Sequence, residues 1–401
     1  MAFRAVKITD DVYWVGAVDW NIRDFHGYST ERGTTYNAYL ILAERITLID
    51  TVKATFKQEM LARIASLINP GQISYLVSNH AEMDHSGVLP QVITELKPER
   101  VFASAMGVKA LSEHYHLKSE IIALKDGDEL SLGNMKLKFL ETRMLHWPDS
   151  MMTYLVERNL LFSQDGFGMH LASGEHFADQ IEEALLRQQA AKYYANILLP
   201  YSALVLKLIE RVSTLGLRFD IIAPDHGPVW RNSGVDKVIS WYQEWARQVT
   251  KPKAVIVYDT MWQSTDQMAR AIADGIANAG VEVKVMRLRA TDRSDVMTEV
   301  LDAGAVFVGS PTINNGVFPT IADFLTYLKG LKPKNKIGAA FGSYGWSGEA
   351  AQLIHEELKS LGMELPEDPL KIKYVPGRDE LVRCREFGQR LAGLIKERAG
   401  R

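Results

Sequence analysis

The stretch His80-Ala81-Glu82-Met83-Asp84-His85 packs two imidazoles and two carboxylates into six residues. The apolar run Ile73-Ser74-Tyr75-Leu76-Val77-Ser78-Asn79 leads into it, which places it on the loop leaving a buried β-strand. Polar groups crowded together in a packed interior repel one another and lose their hydration. Positive charge between them resolves that conflict, and a pair of divalent or trivalent cations suits the donor set.

Three further residues extend the cluster. His146 opens His146-Trp147-Pro148-Asp149 a few residues after the strand expected over Lys136 to Leu140. Asp165 follows Leu160-Leu161-Phe162-Ser163-Gln164, and His226 follows Phe219-Asp220-Ile221-Ile222-Ala223-Pro224-Asp225. Each lies beyond the C-terminal end of an apolar strand, as His80 does, and a sheet sandwich would gather such ends on one rim. Taken singly, Asp165 reads as a turn former and Asp225-His226-Gly227-Pro228 as a turn. Taken together, four imidazoles and three carboxylates are enough for two metals, a carboxylate bridge and open positions.

Length and composition set the frame. A chain of 401 residues exceeds one ordinary core, so two domains are expected. Hydrophobic residues make up 47% and charged residues 24%, as in soluble globular proteins. A formal net charge of -3 argues against nucleic acid or an anionic membrane as the main partner. No apolar run reaches transmembrane length, and the start Met1-Ala2-Phe3-Arg4-Ala5-Val6-Lys7 lacks a signal-peptide core, so a cytoplasmic location is expected. Cys384 is the lone cysteine, which excludes an internal disulfide and a Cys₄ iron site within this chain.

Residues 1–250 are expected to form a layered α/β sandwich with long functional loops. Strands are expected at Val12 to Gly16, Tyr39 to Leu42 and Ile46 to Asp50, with a polar loop from Asn21 to Thr35. Helices are expected from about Phe56 to Ile68, through Leu89 to Leu96, and from about Asp179 to Ala195. The polar junction Val249-Thr250-Lys251-Pro252-Lys253 reads as a linker. Beyond it, residues 251–401 alternate helices with apolar strands at Ala254 to Tyr258, Val283 to Met286, Ala305 to Gly309, Ile337 to Phe341 and Ile372 to Val375. That pattern is a doubly wound parallel sheet.

Three loops at strand ends in this second half carry a ligand signal. Asp259-Thr260-Met261-Trp262-Gln263-Ser264-Thr265 offers hydroxyls and backbone N–H groups at a helix start, suited to a phosphate. Gly309-Ser310-Pro311-Thr312-Ile313-Asn314-Asn315-Gly316 and Gly342-Ser343-Tyr344-Gly345-Trp346-Ser347-Gly348 follow the third and fourth strands. Their glycines allow close backbone approach, and Trp262, Tyr344 and Trp346 could flank a flat ring.

With these residues set out, His80-x-Glu82-x-Asp84-His85, His146, Asp165 and His226 resemble the metallo-β-lactamase-like αββα domain of flavodiiron proteins. Hydrolytic relatives carry His-x-His-x-Asp-His, whereas Glu82 here is a hard carboxylate that shifts preference from zinc toward iron. Asp24-Phe25-His26-Gly27-Tyr28, Gly33-Thr34-Thr35-Tyr36-Asn37-Ala38-Tyr39 and Tyr193-Tyr194-Ala195-Asn196 also match the family. The three later loops look like the FMN loops of flavodoxin, with Gln263 standing where flavodoxins often have Gly.

The resemblance implies two non-haem irons, one held by His80, Glu82 and His146, the other by Asp84, His85 and His226, with Asp165 bridging. It implies His26 and Tyr194 beside the substrate pocket, FMN in the second domain, and reduction of O₂ to water, of NO to N₂O, or both. It further implies electrons from rubredoxin or a similar donor and a head-to-tail homodimer, or a dimer of dimers. Two other readings stay open on the residues alone. One is a zinc hydrolase with an accessory flavodoxin domain. The other is an electron-transfer flavoprotein with a degenerate first domain.

Overall fold

Apolar strands a few residues long dictate the first half. In the computed structural model, which describes residues 3–399, a seven-stranded sheet runs Val6–Lys7, Val12–Trp14, Tyr39–Ile41, Thr47–Ile49, Tyr75–Ser78, Arg100–Ser104, Ile122–Leu124. A six-stranded sheet runs Glu129–Ser131, Lys136–Glu141, Met151–Leu155, Leu160–Phe162, Ile221–Ala223, Trp230–Arg231. The period of two sorts their side chains. Tyr75 and Val77 join Phe139, Met151 and Phe162 in the core shared by both sheets. Leu76, between them in sequence, packs instead with Met60 and Ile64 of the helix Lys57–Ala65 and with Val92 and Ile93 of the helix Leu89–Leu96. The strands Tyr75–Ser78, Lys136–Glu141, Leu160–Phe162 and Ile221–Ala223 end before His80, His146, Asp165 and His226 respectively.

Backbone contacts divide the chain into two units: Met1–Tyr193 with Ala203–Gln243, and Tyr194–Ser202 with Glu244–Arg401. The expected division after residue 250 therefore shifts, and the outermost residues 1, 2, 400 and 401 lie outside the described ones. The junction expected as a linker is mostly strand: Lys251–Tyr258 begins there. Its lysines are neutralised, Lys251 by Asp302 and Lys253 by Asp302 and Glu299, which lets polar residues open a central strand.

Three other local expectations change. The loop from Asn21 to Thr35 contains a small hairpin, Asp24–Phe25 with Tyr28–Ser29. His26 and Gly27 form its turn with φ of 55° and 76°, the left-handed pair that two-residue hairpins require. Met83–Ser86 closes a helical turn within the ligand stretch rather than staying open loop. The helix expected from Asp179 begins at Glu183 and passes at Tyr194 into the π-helical turn Tyr194–Leu198.

The second unit is a five-stranded sheet in the order Glu282–Arg287, Lys251–Tyr258, Ala303–Gly309, Ile337–Tyr344, Leu370–Lys373. Every pair is parallel. The order reverses between Lys251–Tyr258 and Ala303–Gly309, so their C-terminal ends open the crevice where such sheets bind ligands. Met268, Ile272 and Ile276 of the helix Ser264–Asn278 and Phe387, Leu391 and Ile395 of Arg378–Ala399 cover Ile256 and Phe307. The last strand stops at Lys373, short of Val375, because Tyr374 turns to φ 59°. Among the described residues no helix is long and apolar enough to cross a membrane.

Candidate metal centre and flavin loops

Among the described residues, the rim of the first unit holds three groups of possible ligand atoms, one of them His26 with Glu82 and Asp84; the other two make the paired site. One atom each from His80, Glu82, His146 and Asp165 lie within 4.8 Å of one another, and so do atoms of Asp84, His85 and His226. Asp165 stands between the groups. Its Oδ2 is 3.0 Å from His146 Nε2 and 3.5 Å from His80 Nε2. Its Oδ1 is 3.2 Å from His85 Nε2 and 3.5 Å from His226 Nε2. One carboxylate thus turns an oxygen to each group, the geometry of a bridge.

The rings are oriented from behind. His80 Nδ1 lies 3.1 Å from Asp149 Oδ2. His226 Nδ1 lies 2.5 Å from the Thr35 carbonyl oxygen, which only accepts, so Nδ1 carries the hydrogen. The lone pair on His226 Nε2 is left for a cation, 3.1 Å from Asp84 Oδ2. Behind His85, Nδ1 faces Asp225 Oδ2 at 3.5 Å.

Charge is concentrated here in a mostly buried cluster. Burial works against ionisation of Asp84 and Asp165, yet the facing imidazoles, His85 first, hold both carboxyls well below the usual range. Burial likewise disfavours charge on His80, but hydrogen bonds to Asp149 and Glu82 push it well above an ordinary imidazole. These anions demand cations. Asp84, His85, His226 Nε2 and Asp165 Oδ1 are also buried without a well-formed hydrogen bond among the described residues.

The second unit brings its three loops together at the crevice. Thr265 Oγ1 lies 3.1 Å from Ser343 Oγ, and the Thr312 N–H donates to the Ser343 carbonyl at 2.9 Å. A Cβ at Gly342 would fall 2.1 Å from the Ser310 carbonyl oxygen, so the second and third loops meet only because this residue is glycine. The Thr260 hydroxyl, four residues before the helix Ser264–Asn278, is buried without a hydrogen-bond partner among the described residues. Trp262 and Trp346 are 83% and 84% exposed, and Met261 stands out beside Trp262. Gln263 sits at φ 67°, where glycine is at ease, which explains why glycine is common at this turn. Asn314 and Asn315 take φ of 48° and 57°, conformations that asparagine tolerates.

Comparison with known proteins meets this geometry. Residues 34–227 match the model described as "ODP family beta lactamase", and residues 256–388 match "Flavodoxin". The chain is 46% identical over 398 residues to a nitric oxide reductase of Moorella thermoacetica, covering 98% of this chain and 100% of that one. It superposes with TM-score 0.97 on rubredoxin oxygen:oxidoreductase from Desulfovibrio gigas, 45% identical, covering 98% and 99% of the two chains. It also superposes with TM-score 0.97 on the flavodiiron protein of Giardia intestinalis, 33% identical, covering 100% and 98%.

The chain belongs to the flavodiiron protein family.

As a flavodiiron protein it is an oxidoreductase, with a metallo-β-lactamase-like domain followed by a flavodoxin-like one. Its cofactors are FMN and a pair of non-haem irons. The residues fit both groups. The two ligand sets offer carboxylate and imidazole with no thiolate, which suits iron, and among the described residues Asp84, His85, His226 Nε2 and Asp165 Oδ1 have no well-formed hydrogen bond. The buried Thr260 hydroxyl and the loop contacts through Ser343 suit a phosphate-bearing flavin.

The two residues expected beside the substrate pocket fare differently. His26 Nε2 lies 3.3 Å from Glu82 Oε1 and 3.8 Å from Asp84 Oδ2, on a ring stacked over Phe25. Tyr194 groups with the second unit, its hydroxyl 3.1 Å from Ser202 Oγ and its ring against Trp245. The tyrosine beside the ligands in the first unit is its neighbour Tyr193, whose ring centroid is 6.2 Å from that of His226. The α-helix ends at Tyr193 and the π-helical turn begins at Tyr194.

Sequence reading also passed over Asp149, Thr35, Asp225 and His170. Asp149 lies inside the quoted His146-Trp147-Pro148-Asp149, but nothing in that spacing names His80 as its partner. His170 carries no motif at all.

Proposed function

We propose that this flavodiiron protein reduces O₂ to water, NO to N₂O, or both, at the paired metal site, with electrons arriving through FMN from an external donor such as rubredoxin. The observation that carries the reading is Asp165, whose two oxygens face two complete ligand groups. The names borne by the relatives, nitric oxide reductase and rubredoxin-oxygen oxidoreductase, point the same way. When bound, two ferrous irons and reduced FMN supply up to four electrons, the number that O₂ needs to become water, whereas two NO need two.

The chain's own residues set position and charge. His80, Glu82 and His146 would hold one metal and Asp84, His85 and His226 the other, with Asp165 shared between them. Asp149 and the Thr35 carbonyl fix the rings of His80 and His226 so that Nε2 of each faces inward. His26 stands beside Glu82 and Asp84. Thr260 to Thr265, Ser310 to Asn315 and Ser343 to Gly348 would hold the flavin, and the exposed Trp262 and Trp346 would be free to pack on a flat ring. A head-to-tail homodimer, in which the flavin of one chain serves the metals of the other, and a cytoplasmic location belong to the same reading.

Anaerobic turnover with a reduced donor tests it. O₂ and NO are added separately to one preparation, and consumption of each gas is followed. Consumption of neither would refute the proposal, and the ratio of rates assigns the preferred gas.

A further inference from the structure

His170 belongs to no ligand group, yet it lies against one. It is 4% exposed, and its ring centroid is 4.6 Å from that of His226, 5.3 Å from His26 and 5.2 Å from Tyr193. Its Nδ1 is 2.8 Å from Thr34 Oγ1. Its Nε2 is buried without a partner among the described residues, and so is the Tyr193 hydroxyl. Buried polar groups are normally satisfied. Two such groups beside a metal site point to something that enters and accepts their hydrogen bonds.

The contacts of Thr34 bear on where His170 carries its hydrogen. Thr34 Oγ1 lies 2.8 Å from His170 Nδ1, against 3.2 Å from the Thr35 carbonyl and 3.3 Å from His226 Nδ1. The shorter path for the Thr34 hydroxyl hydrogen is to His170 Nδ1. A ring that accepts at Nδ1 carries its hydrogen on Nε2.

We propose that His170, fixed by Thr34 as the Nε2–H tautomer, donates a hydrogen bond to the small diatomic or anionic ligand held at the metal centre, with the Tyr193 hydroxyl beside it. This rests on the reading that such a molecule binds there. The residue is a positioning and specificity element. It favours ligands whose exposed atom gathers negative charge as they are reduced, and it changes no bond itself.

Two measurements test it without turnover. In zinc-loaded protein with ¹⁵N-labelled histidine, the ring nitrogen shifts of His170 report its tautomer. Protonated Nε2 is expected in wild type and mixed tautomers in Thr34→Val; protonated Nδ1 in wild type would overturn the proposal. In iron-loaded protein, azide affinity and the infrared N–O stretch of the ferrous nitrosyl are compared across variants. His170→Phe and Thr34→Val should weaken azide about tenfold and raise the stretch, with Thr34→Ser restoring both. Unchanged affinity and stretch in variants that keep their iron would refute the donor role. If His170→Phe fails to load metal, the Thr34 series and the tautomer still decide. Protein that shows these shifts but consumes neither gas would leave the role of His170 standing and refute only the proposed reaction.

Discussion

Asp149 Oδ2 accepts from His80 Nδ1–H at 3.1 Å and from the Ala81 N–H at 2.6 Å, tying a ligand ring and the backbone of its loop to one carboxylate. Removing that carboxylate frees the ring to rotate and makes its Nε2 a poorer base. Asp149→Ala should lower iron affinity by about 10- to 100-fold. Chelator competition against wild type measures it, and equal affinities would show that Asp149 does not orient the ligand.

Asp165 joins both ligand groups, so its loss should cost both metals their shared anion. Asp165→Ala should reduce gas consumption by more than about a hundredfold while FMN stays bound at the wild-type ratio. Absorbance at the flavin band and a gas electrode read the two effects on one sample. Loss of flavin with retained gas reduction would show that the roles of the two domains have been misassigned.

How much of this was legible in the sequence follows from locality. His80 to His85 sit in one stretch, and His146, Asp165 and His226 each follow an apolar strand, so local pattern sufficed to collect them. Tyr193 and Tyr194 are adjacent, and choosing between them needs the helix phase, which changes at the π-helical turn for reasons outside the local sequence. Lys251-Pro252-Lys253 looked like a linker because its partners Glu299 and Asp302 are about 50 residues away. His26 was legible as a candidate, but a His-Gly hairpin turn lacks the usual asparagine or aspartate signal, so its supporting strands were not.

The flavin loops should respond to glycine in opposite senses. Gln263→Gly relieves a left-handed residue and should stabilise the second unit by about 0.5–1 kcal/mol, less the entropy glycine adds to the unfolded chain. Gly342→Ala places a Cβ against the Ser310 carbonyl and should weaken FMN binding by at least about tenfold. Flavin fluorescence titrations on apoprotein measure the second effect and urea midpoints the first.

Lys336 gives the second unit a pH dependence. It is 2% exposed, its Nζ donates to the Ala303 and Leu301 carbonyls at 2.7 and 3.1 Å, and burial pushes it down to about 7. Its ordinary value is 10.5, so between about 7 and 10.5 the unfolded chain binds more protons than the folded one. Stability contributed through this group therefore rises with pH across that window and is level below it. Urea midpoints of wild type and Lys336→Met, compared at several pH values, should diverge in that direction. Parallel profiles would show that Lys336 titrates normally.

Metal content and gas consumption measured on one preparation test the central claim most directly. The account predicts about two irons and one FMN per chain, and consumption of O₂, NO or both that rises and falls with iron occupancy. Zinc at the site, with thioester or lactam hydrolysis and no gas consumption, would contradict it.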